Sequence, residues 1–401
     1  MSVGGRAESS ERTRELIIEA ATSRFAARGY RATSLREIAT AAGISHPGLL
    51  RHFTSKADLL GVVVDRLSQP VIAEGGEDAP RLQWFVDVAR RNAATPGYVE
   101  LFSGLLGVGV GASSPVHAAL AARYAGVRTA IATVLAGAGA QPDPSAEAAR
   151  LAAAWDGLQL ISLYVPEVSV PDALAAGLAA LGGEVDAALP VARIAPSEPS
   201  EPIGTPGGYS AGRRRRDQIL EAATSAFAQA GFHGASLREI AELADVSTSA
   251  LLHHFSSKRE LLLAVLQRRD ADAAALAGTP AGTDPVTRLR RAVEVARRNQ
   301  SEQAGLVELY VTLCAEAAAP DHPAHGYFER RFRNTINAFG SAFAAVAADG
   351  GLAEGRDPWL EGLWWVALWD GLQFQWSFDH DQVDVAALLQ AHLDRVLSPA
   401  Q

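Results

Sequence analysis

The chain has 401 residues, with 36 Lys and Arg against 45 Asp and Glu and a formal net charge of −9. Its length indicates two or more domains, and its 48% hydrophobic and 20% charged residues are those of a folded protein, which excludes disorder along the whole chain. The single cysteine, Cys314, excludes a disulfide scaffold and a cysteine-rich zinc module. The acidic total also argues against a nucleic-acid partner for the surface as a whole.

The first residues are charged and lack the apolar segment of a secretory signal. The apolar stretches at 101–112 and 129–140 are too short to span a bilayer. We therefore expect a cytoplasmic protein with no membrane partner.

The sequence repeats itself. A shift of 202 residues aligns 14–60 with 216–262 without a gap, and 26 of those 47 positions are identical. The match resumes later, where Trp155-Asp-Gly-Leu-Gln159 pairs with Trp369-Asp-Gly-Leu-Gln373. The chain has only two lysines, Lys56 and Lys258, and they occupy the same place in the repeat. The sequence therefore predicts one unit of roughly 190 residues present twice, here called copy 1 and copy 2.

Residues 190–211 are rich in proline, glycine and serine and hold little that could pack, so we expect a semi-extended linker there. Each copy then divides into a head, at 1–66 and 212–270, and a body, at 67–189 and 271–401. Apolar residues recur at three- and four-residue spacing in both parts, and no β-strand alternation is present. The expected fold class is all-α.

The head of copy 1 is predicted to contain four helices. The first ends at Gly29, Ser34 and Glu37 form a capping box that opens the second, Ser45 caps the third, and Ser55 caps the fourth. The positions expected to face the core are Ile17, Ala20, Ala21, Phe25, Leu35, Ile38, Ala39, Ala42, Leu49, Leu50, Phe53, Leu59, Leu60, Val63 and Val64. A short helix, a tight turn and a second short helix at this spacing indicate a helix-turn-helix, although an ordinary helical bundle also has short helices.

Each lysine falls in the first turn of a predicted helix, where the helix dipole disfavours a cation by about 0.3–1 kcal/mol. A phosphate group docked at the same helix end would explain this placement. Residues 1–66 and 211–269 each carry a net charge of +3, which leaves −15 for the remainder. The acidic total is therefore an average over two mildly basic heads and an acidic remainder.

At these residues the chain resembles the TetR (tetracycline-repressor) family of bacterial transcription regulators. The segments TSLREIATAAGISHPGLLRHFTSKADLL at 33–60 and ASLREIAELADVSTSALLHHFSSKRELL at 235–262 are similar to the family's DNA-binding signature, and 321–333 is similar to segments in actinobacterial members. The resemblance is specific in the first fifty or so residues of each copy. It implies two helix-turn-helix DNA-binding heads, each followed by a helical ligand-binding and dimerisation body.

The resemblance also implies roles for individual residues. Base edges in one half-site are expected to meet Ser45, His46, Gly48 and Arg51, and those in the other half-site Ser247, Thr248, Ser249 and His253. Backbone phosphates are expected at His52, His254, Lys56 and Lys258. Thr33, Ser34, Ala235 and Ser236 are expected near phosphate at the start of the second helix of each head.

Three features of the heads qualify this assignment. Many family members have Tyr where Leu50 and Leu252 stand, which implies one phosphate contact fewer in each copy. Asp245 replaces the turn residue Gly43, which puts the competence of the second head in question. The run Arg213–Arg216 is either a solvated linker end or an arm that reaches DNA.

The bodies are predicted to be helical near 81–112, 115–140, 145–164, 172–189, 286–317, 321–349, 357–377 and 382–397. Core or interface packing is favoured over a ligand cage for the aromatic residues of the second body, namely Tyr310, Phe328, Trp359, Trp364, Trp365, Trp369, Phe374 and Trp376. The segments Asp321–His325 and Asp379–Asp381 are weak metal signals, so no metal is expected. No nucleophile elbow, P-loop or H-E-x-x-H motif is present, which argues against an enzyme and gives no reason to expect a cofactor.

The predicted function is that of a single-chain, ligand-responsive repressor whose two unequal heads read an imperfect palindrome. Its expected partners are double-stranded operator DNA and a small-molecule effector whose binding residues the sequence does not identify, and its two halves are expected to form an intramolecular pseudo-dimer. One alternative is a ligand-sequestering or protein-interaction module with one or both heads degenerate. Another is a chain that dimerises further and presents four heads.

Overall fold

The structure is a computed structural model that describes residues 3–28, 30, 33–73, 82–110, 114, 116–137, 143–180, 185, 193–198, 210–277, 283–302 and 304–398. These residues form eighteen helices, and the β-structure among them is one isolated bridge between Leu352 and Leu397. The expected all-α class with two tandem units is confirmed. Within the described ranges, each helix is too short or too polar to cross a bilayer.

The helices of copy 1 are α1 (Val3–Arg28), α2 (Leu35–Ala41), α3 (His46–Leu49), α4 (Lys56–Ala73), α5 (Gln83–Ala94), α6 (Tyr98–Gly109), α7 (His117–Gly137), α8 (Pro144–Ser162) and α9 (Val170–Ala180). Those of copy 2 are α10 (Ser210–Gly234, with a kink at Gly231), α11 (Leu237–Leu243), α12 (Thr248–His254), α13 (Lys258–Ala277), α14 (Pro285–Glu302), α15 (Ala304–Glu316), α16 (His325–Ala348), α17 (Pro358–Phe378) and α18 (Val385–Val396). The predicted end of the first helix, Gly29, lies outside the described residues.

The expected core of the first head forms, with one exception. Ile17, Ala21, Phe25, Ile38, Ala39, Leu49, Phe53, Leu59, Leu60, Val63 and Val64 are buried, and Ala20, Leu35 and Ala42 pack partly buried against them. The assignment of Leu50 to the core is wrong, because its side chain is 41% exposed. Adjacent helical residues point about 100° apart, so the short α3 can turn only Leu49 inward.

The predicted helix at 81–112 is two helices, α5 and α6, and the break comes at Gly97. This glycine has φ +74, the left-handed conformation in which a side chain is strained, and it lies where the first body meets α1. A Cβ at this position would lie 2.8 Å from the Cβ of Ala26. α5 has already ended at Ala94, with Thr95 as its C-cap, and Gly97 begins α6 and allows the head to approach the body. The predicted helix at 286–317 is likewise divided, into α14 and α15.

The linker packs more closely than its composition suggests. Ile194 is buried, its carbonyl accepts a hydrogen bond from Asn337 at 3.3 Å, and the Arg193 guanidinium lies 3.8 Å from the centre of the Trp359 ring. The expectation that this segment holds little that could pack is therefore wrong for 193–198. Its last residues also differ, since α10 already begins at Ser210.

The two bodies pack against each other along α8 and α17, through equivalent residues of the repeat. A Cβ on Gly157 would overlap the carbonyl oxygen of Ala367, and a Cβ on the equivalent Gly371 would overlap that of Ala153. Ala153 and Ala367 are themselves equivalent, so each contact has a mirror contact in the other copy. This reciprocity is the mark of a two-fold, isologous interface.

The surrounding side chains repeat the same relation. Tyr164 stacks 5.1 Å from His325 and 5.3 Å from Phe332, and the equivalent Phe378 lies 5.5 Å from both His117 and Tyr124. Ion pairs also join the copies near the ends of these helices, among them Arg128 with Asp379 at 3.0 Å, Arg333 with Glu167 at 2.8 Å and Arg395 with Glu147 at 2.8 Å. The two bodies thus share one continuous core.

Candidate DNA-binding surface

The turn between the two short helices has the same geometry in both heads. Gly43 has φ +70, and Asp245 occupies the equivalent place with φ +50. The Ile44 amide donates to the Ala39 carbonyl and the Val246 amide to the Ala241 carbonyl, each at 2.9 Å. This bond across a left-handed residue is the Schellman pattern that ends a helix and redirects the chain. The second head therefore keeps the turn, although it places aspartate where glycine is favoured.

Serine side chains start the short helices. Ser45 accepts a hydrogen bond from the Gly48 amide and Ser247 from the Ala250 amide, both at 3.1 Å. Ser34 and Glu37 form the complete capping box, and Ser236 accepts from the Glu239 amide at 3.1 Å. A capping hydroxyl uses its oxygen as acceptor and keeps its hydrogen as a donor. Capping and a contact to DNA are therefore compatible at Ser45 and Ser247.

The predicted base-contacting residues lie on and around the second short helix of each motif, with Ser45 and Ser247 as N-caps and Arg51 just beyond the end of α3. Ser45, Arg51, Ser247, Thr248, Ser249 and His253 are exposed, and His46, Gly48, His52 and His254 are half-buried. Leu50 and Leu252 are both 41% exposed on these helices. The two helices differ in length, since α3 spans four residues and α12 seven. α3 is the shorter at its C-terminal end, and Gly48, where copy 2 has Ala250, is the poorer helix former.

The two lysines have structural partners. Lys56 donates to the Thr33 carbonyl and Lys258 to the Ala235 carbonyl, both at 2.7 Å. Their ammonium groups also lie over aromatic rings, 4.3 Å from the centre of Tyr30 and 4.6 Å from that of Phe232. Burial lowers the pKa of each lysine from its ordinary value. These contacts explain a cation at a helix N-terminus without an anion, so the phosphate role of both lysines stays a prediction.

Thr33 does not belong to the outer surface. Its side chain is 2% exposed, and its hydroxyl donates to the Arg24 carbonyl at 3.2 Å. The hydroxyl faces inward and ties the start of α2 to α1, so it is not the group that would contact phosphate, and the position of Thr33 near phosphate stays a prediction. Ser34 and Ser236, one position further along, are exposed.

The arginine run before the second head is helical and lies beside the recognition helix α12. Arg213, Arg214 and Arg215 are exposed on the first turns of α10. The Arg216 guanidinium lies 4.8 Å from the centre of the Phe255 ring, and the equivalent Arg14 lies 5.2 Å from that of Phe53. The pKa of His254 is lowered by burial and then by the nearby side chains of His253, Arg216 and Arg215. The run therefore adds positive charge to the same surface.

Sequence reasoning overlooked two pairs of residues that build this surface. Arg14 and Arg216 stack on the core phenylalanines, and Tyr30 and Phe232 support the lysines. The repeat contains a signal for both pairs. Arginine is identical at the first position and an aromatic ring is kept at the second.

Comparisons with known proteins agree with this geometry. The family described as "Bacterial regulatory proteins, tetR family" matches residues 17–63 and again 219–265. The transcriptional activator FasR of Mycolicibacterium smegmatis is 44% identical over 95 residues, which is 22% of this chain and 43% of that protein. The regulator RutR of Escherichia coli is 50% identical over 54 residues, 14% of this chain and 26% of that protein. The matched regions thus span less than half of these relatives' own length.

Two solved structures show similarity over about half of this chain. A TetR-family regulator from Agrobacterium tumefaciens has 20% identity and a TM-score of 0.40, covering 47% of this chain and 100% of its own. SmeT, the repressor of the Stenotrophomonas maltophilia multidrug efflux pump SmeDEF, has 21% identity and a TM-score of 0.39, covering 46% and 91%. The family match occurs twice, so the chain carries two tandem copies of the DNA-binding domain of the tetR family of bacterial regulatory proteins.

Proposed function

We propose that this chain is a sequence-specific DNA-binding transcription regulator that works as a single-chain pseudo-dimer in the cytoplasm, where its operator DNA lies. The observation that carries the proposal is the pair of exposed recognition helices, α3 and α12, held in one molecule by reciprocally packed bodies. In a two-fold dimer of this kind, two such helices enter major grooves about one helical turn, or roughly 34 Å, apart.

The two heads favour unequal half-sites. Arg51 of the first head corresponds to His253 of the second, and His46 corresponds to Thr248. An exposed arginine pairs best with guanine, whereas histidine and threonine offer a different set of donors and acceptors. An operator for this chain is therefore an imperfect palindrome.

Release of DNA by a small molecule is the proposed mode of control. The helix α13 begins at Lys258 in the second head and reaches Arg269 and Asp270, which line a cavity in the second body. A ligand that contacts this part of α13 better in one orientation than in another shifts the population of head positions. Repression is the proposed direction, since a protein that binds and releases an operator can block transcription without contacting polymerase.

Selection of bound fragments from a random DNA pool tests this function directly. The full chain should return a site with two different half-sites, and log affinity should fall steeply and linearly with log salt. Arg51→Ala should relax the preference in one half-site and His253→Ala in the other, each with a loss of about 1–3 kcal/mol. The matched control is Arg298→Ala on the body helix α14, whose partner is Glu302 at 2.9 Å.

The outcomes separate this function from the alternatives. A perfectly symmetric selected site would contradict the unequal heads. No binding to any DNA at low salt would favour the ligand-sequestering or protein-interaction module. An equal loss for Arg51→Ala and Arg298→Ala would mean that only the overall charge matters, and sequence-specific reading by Arg51 would be rejected.

A further inference from the structure

The two bodies are equivalent in sequence position but not in internal space. The body of copy 2 encloses a cavity of about 430 Å³ between α13, α14, α16 and α17, within the usual range for small-molecule sites. At the equivalent place in copy 1, where Asn92, Arg123, Trp155 and Asp156 correspond to Asn299, Arg331, Trp369 and Asp370, the space is about 20 Å³. One copy is open and the other is filled.

A pair of substitutions within the repeat explains the difference. Phe85 in copy 1 corresponds to Ala292 in copy 2. The Phe85 ring is fully buried and meets Trp155 edge to face at 6.4 Å, whereas Ala292 lines the open cavity and the equivalent Trp369 is only partly buried. Tyr98, which lines the small space of copy 1, corresponds to Leu306. Aromatic rings in copy 1 thus occupy the volume that smaller side chains leave free in copy 2.

The open cavity contains a cation that copy 1 lacks. Arg269 lines it, while the corresponding residue of copy 1 is Leu67. The guanidinium lies over the Tyr310 ring at 3.9 Å, and among the described residues its buried Nη1 has no hydrogen-bond acceptor. A buried, unsatisfied donor on a charged group is costly, which makes it a site that a ligand oxygen would complete.

The neighbouring carboxylates do not satisfy Arg269. Asp270 accepts hydrogen bonds from Arg331 at 2.9 Å and from the Tyr327 hydroxyl, and its Oδ1 stays 3.6 Å from the Arg269 Nη1. Asp370, the other acid of the cavity, accepts from the Tyr310 hydroxyl at 3.3 Å. Burial raises its pKa to about 6, so Asp370 can take up a proton when an anion enters.

We infer that the chain has a single effector site, in the body of copy 2, which takes a ligand with an anionic oxygen group at Arg269 and an apolar body against Trp369 and Phe339. In the body of copy 1, aromatic side chains of the chain itself fill the equivalent space. A single ligand, bound in the body of copy 2, then acts on a chain that has two DNA-binding heads. The regulatory role of this ligand rests on the proposed function, whereas the existence of the site and the chemical class of its ligand rest on the cavity alone.

Two fluorescent probes of matched shape test this site in the full chain. 1-Anilinonaphthalene-8-sulfonate carries an anion, and N-phenyl-1-naphthylamine has the same rings without it. Wild type should bind one molecule of the anionic probe per chain. Arg269→Leu, which installs the residue of copy 1, should weaken the anionic probe roughly 10- to 100-fold and the neutral probe by less than about threefold.

Reciprocal variants test the filled and open halves. Ala292→Phe should abolish binding of both probes, and Phe85→Ala should leave the affinity of the original site unchanged. Ala338→Trp, at an exposed position lining the same cavity, should also block it and serves if Ala292→Phe does not fold. Circular dichroism and thermal melting monitor the fold of each variant.

Several results would overturn the inference. These are two equal probe sites in wild type, unchanged binding in both blocking variants, and equal weakening of both probes by Arg269→Leu. DNA binding of the same variants is measured without probe. If the probes behave as expected and no DNA is bound, the ligand site stands and the proposed regulatory function fails.

Discussion

Asp245 holds a backbone conformation that favours glycine, and its cost can be measured. At φ +50 the left-handed conformation costs a residue with a Cβ up to about 1 kcal/mol, less for aspartate than for most others. We expect Asp245→Gly to stabilise the second head by about that amount and Gly43→Asp to destabilise the first by a similar amount. Hydrogen exchange of the α11 and α12 amides reports the first change, and that of α2 and α3 the second. Faster exchange in Asp245→Gly would contradict this account.

Two buried carboxylates make stability depend on pH. Asp156 and Asp370 occupy the same place in the repeat, and burial raises the pKa of each to about 6, against the lowering effect of neighbouring arginines. Because the folded state binds these protons more tightly than the unfolded chain, their contribution is fully present below about pH 4 and is lost as the pH rises through 6.

Asp370→Asn isolates the contribution of one of these groups. The variant should be more stable than wild type at pH 8, by up to about 3 kcal/mol for a shift of about two pKa units, and the two should converge below pH 4. Thermal melting from pH 4 to pH 8 measures the difference. Lower stability of the variant at pH 8 would show that the ionised carboxylate is net stabilising.

Individual residues also differ in how well their structural roles could be predicted from the sequence. The repeat located Lys56 and Lys258 as a matched pair, and both do begin a helix. Their partners, the carbonyls of Thr33 and Ala235, are 23 residues away, and no spacing rule brings them together. Leu50 shows the same limit, because hydrophobicity alone does not decide which of two adjacent leucines turns inward.

At the scale of elements, the contact between α8 and α17 depends on two glycines. Any Cβ on Gly157 or Gly371 would overlap a backbone carbonyl of the opposite helix, and neither backbone can move without separating the bodies. Gly371→Ala should therefore lower the stability by about 1–3 kcal/mol or more, the usual cost of overpacking a core. Differential scanning calorimetry measures the shift in melting temperature.

Gly104→Ala is the matched control for this prediction. Gly104 lies inside α6, and a Cβ there would meet no atom within 4 Å among the described residues. Alanine is the better helix former by about 1 kcal/mol, so this variant should melt at the same or a higher temperature. Equal destabilisation of Gly104→Ala and Gly371→Ala would contradict a specific role for the interface glycine.

Helices were easier to predict than their boundaries. The periodicity of apolar residues placed α7, α8, α16, α17 and α18 within four residues of their observed bounds, because burial of one face determines that spacing. The predicted helix at 172–189 is α9, which ends at Ala180, and most of the remaining residues of that prediction lie outside the described ones. The periodicity missed the division into α5 and α6, although Pro96-Gly97 is a turn signal in the sequence. The close approach of Ala26 to Gly97 comes from the tertiary structure and leaves no mark in the apolar pattern. The periodicity also missed the docking of Ile194, whose pocket comes from residues more than 130 positions away.

At the scale of the whole molecule, the sequence repeat predicts two equivalent bodies, but side-chain packing makes their interiors different. The aligned copies predict two similar bodies, and their shared core agrees with that. Which copy is hollow depends on Phe85 and Ala292, a difference that looks conservative in an apolar pattern. Its consequence appears only once the ring is seen against Trp155. The imbalance between the bodies therefore could not be read from the repeat.

The reciprocal core also predicts how the chain behaves when the linker is cut. A protease site inserted within 199–209 leaves every described contact between the bodies intact, including the ion pairs of Arg128 and Arg333 and the buried rings of Tyr164 and Phe378. Fully buried aromatic side chains would be exposed if the halves parted, at a cost of several kcal/mol. We therefore expect the cut protein to stay together at 42.1 kDa in light scattering, with unchanged DNA affinity.

The same cut made in Gly371→Ala separates the contribution of the interface from that of the covalent link. There the halves should part on dilution, because the helices can no longer approach, whereas the uncut variant keeps its mass. Spontaneous separation of the cut wild type would contradict the pseudo-dimer, since the bodies would then be joined by the linker alone. A mass of twice 42.1 kDa before cutting would instead show a pair of chains with four heads. The reciprocal contacts would then be one interface of a larger assembly.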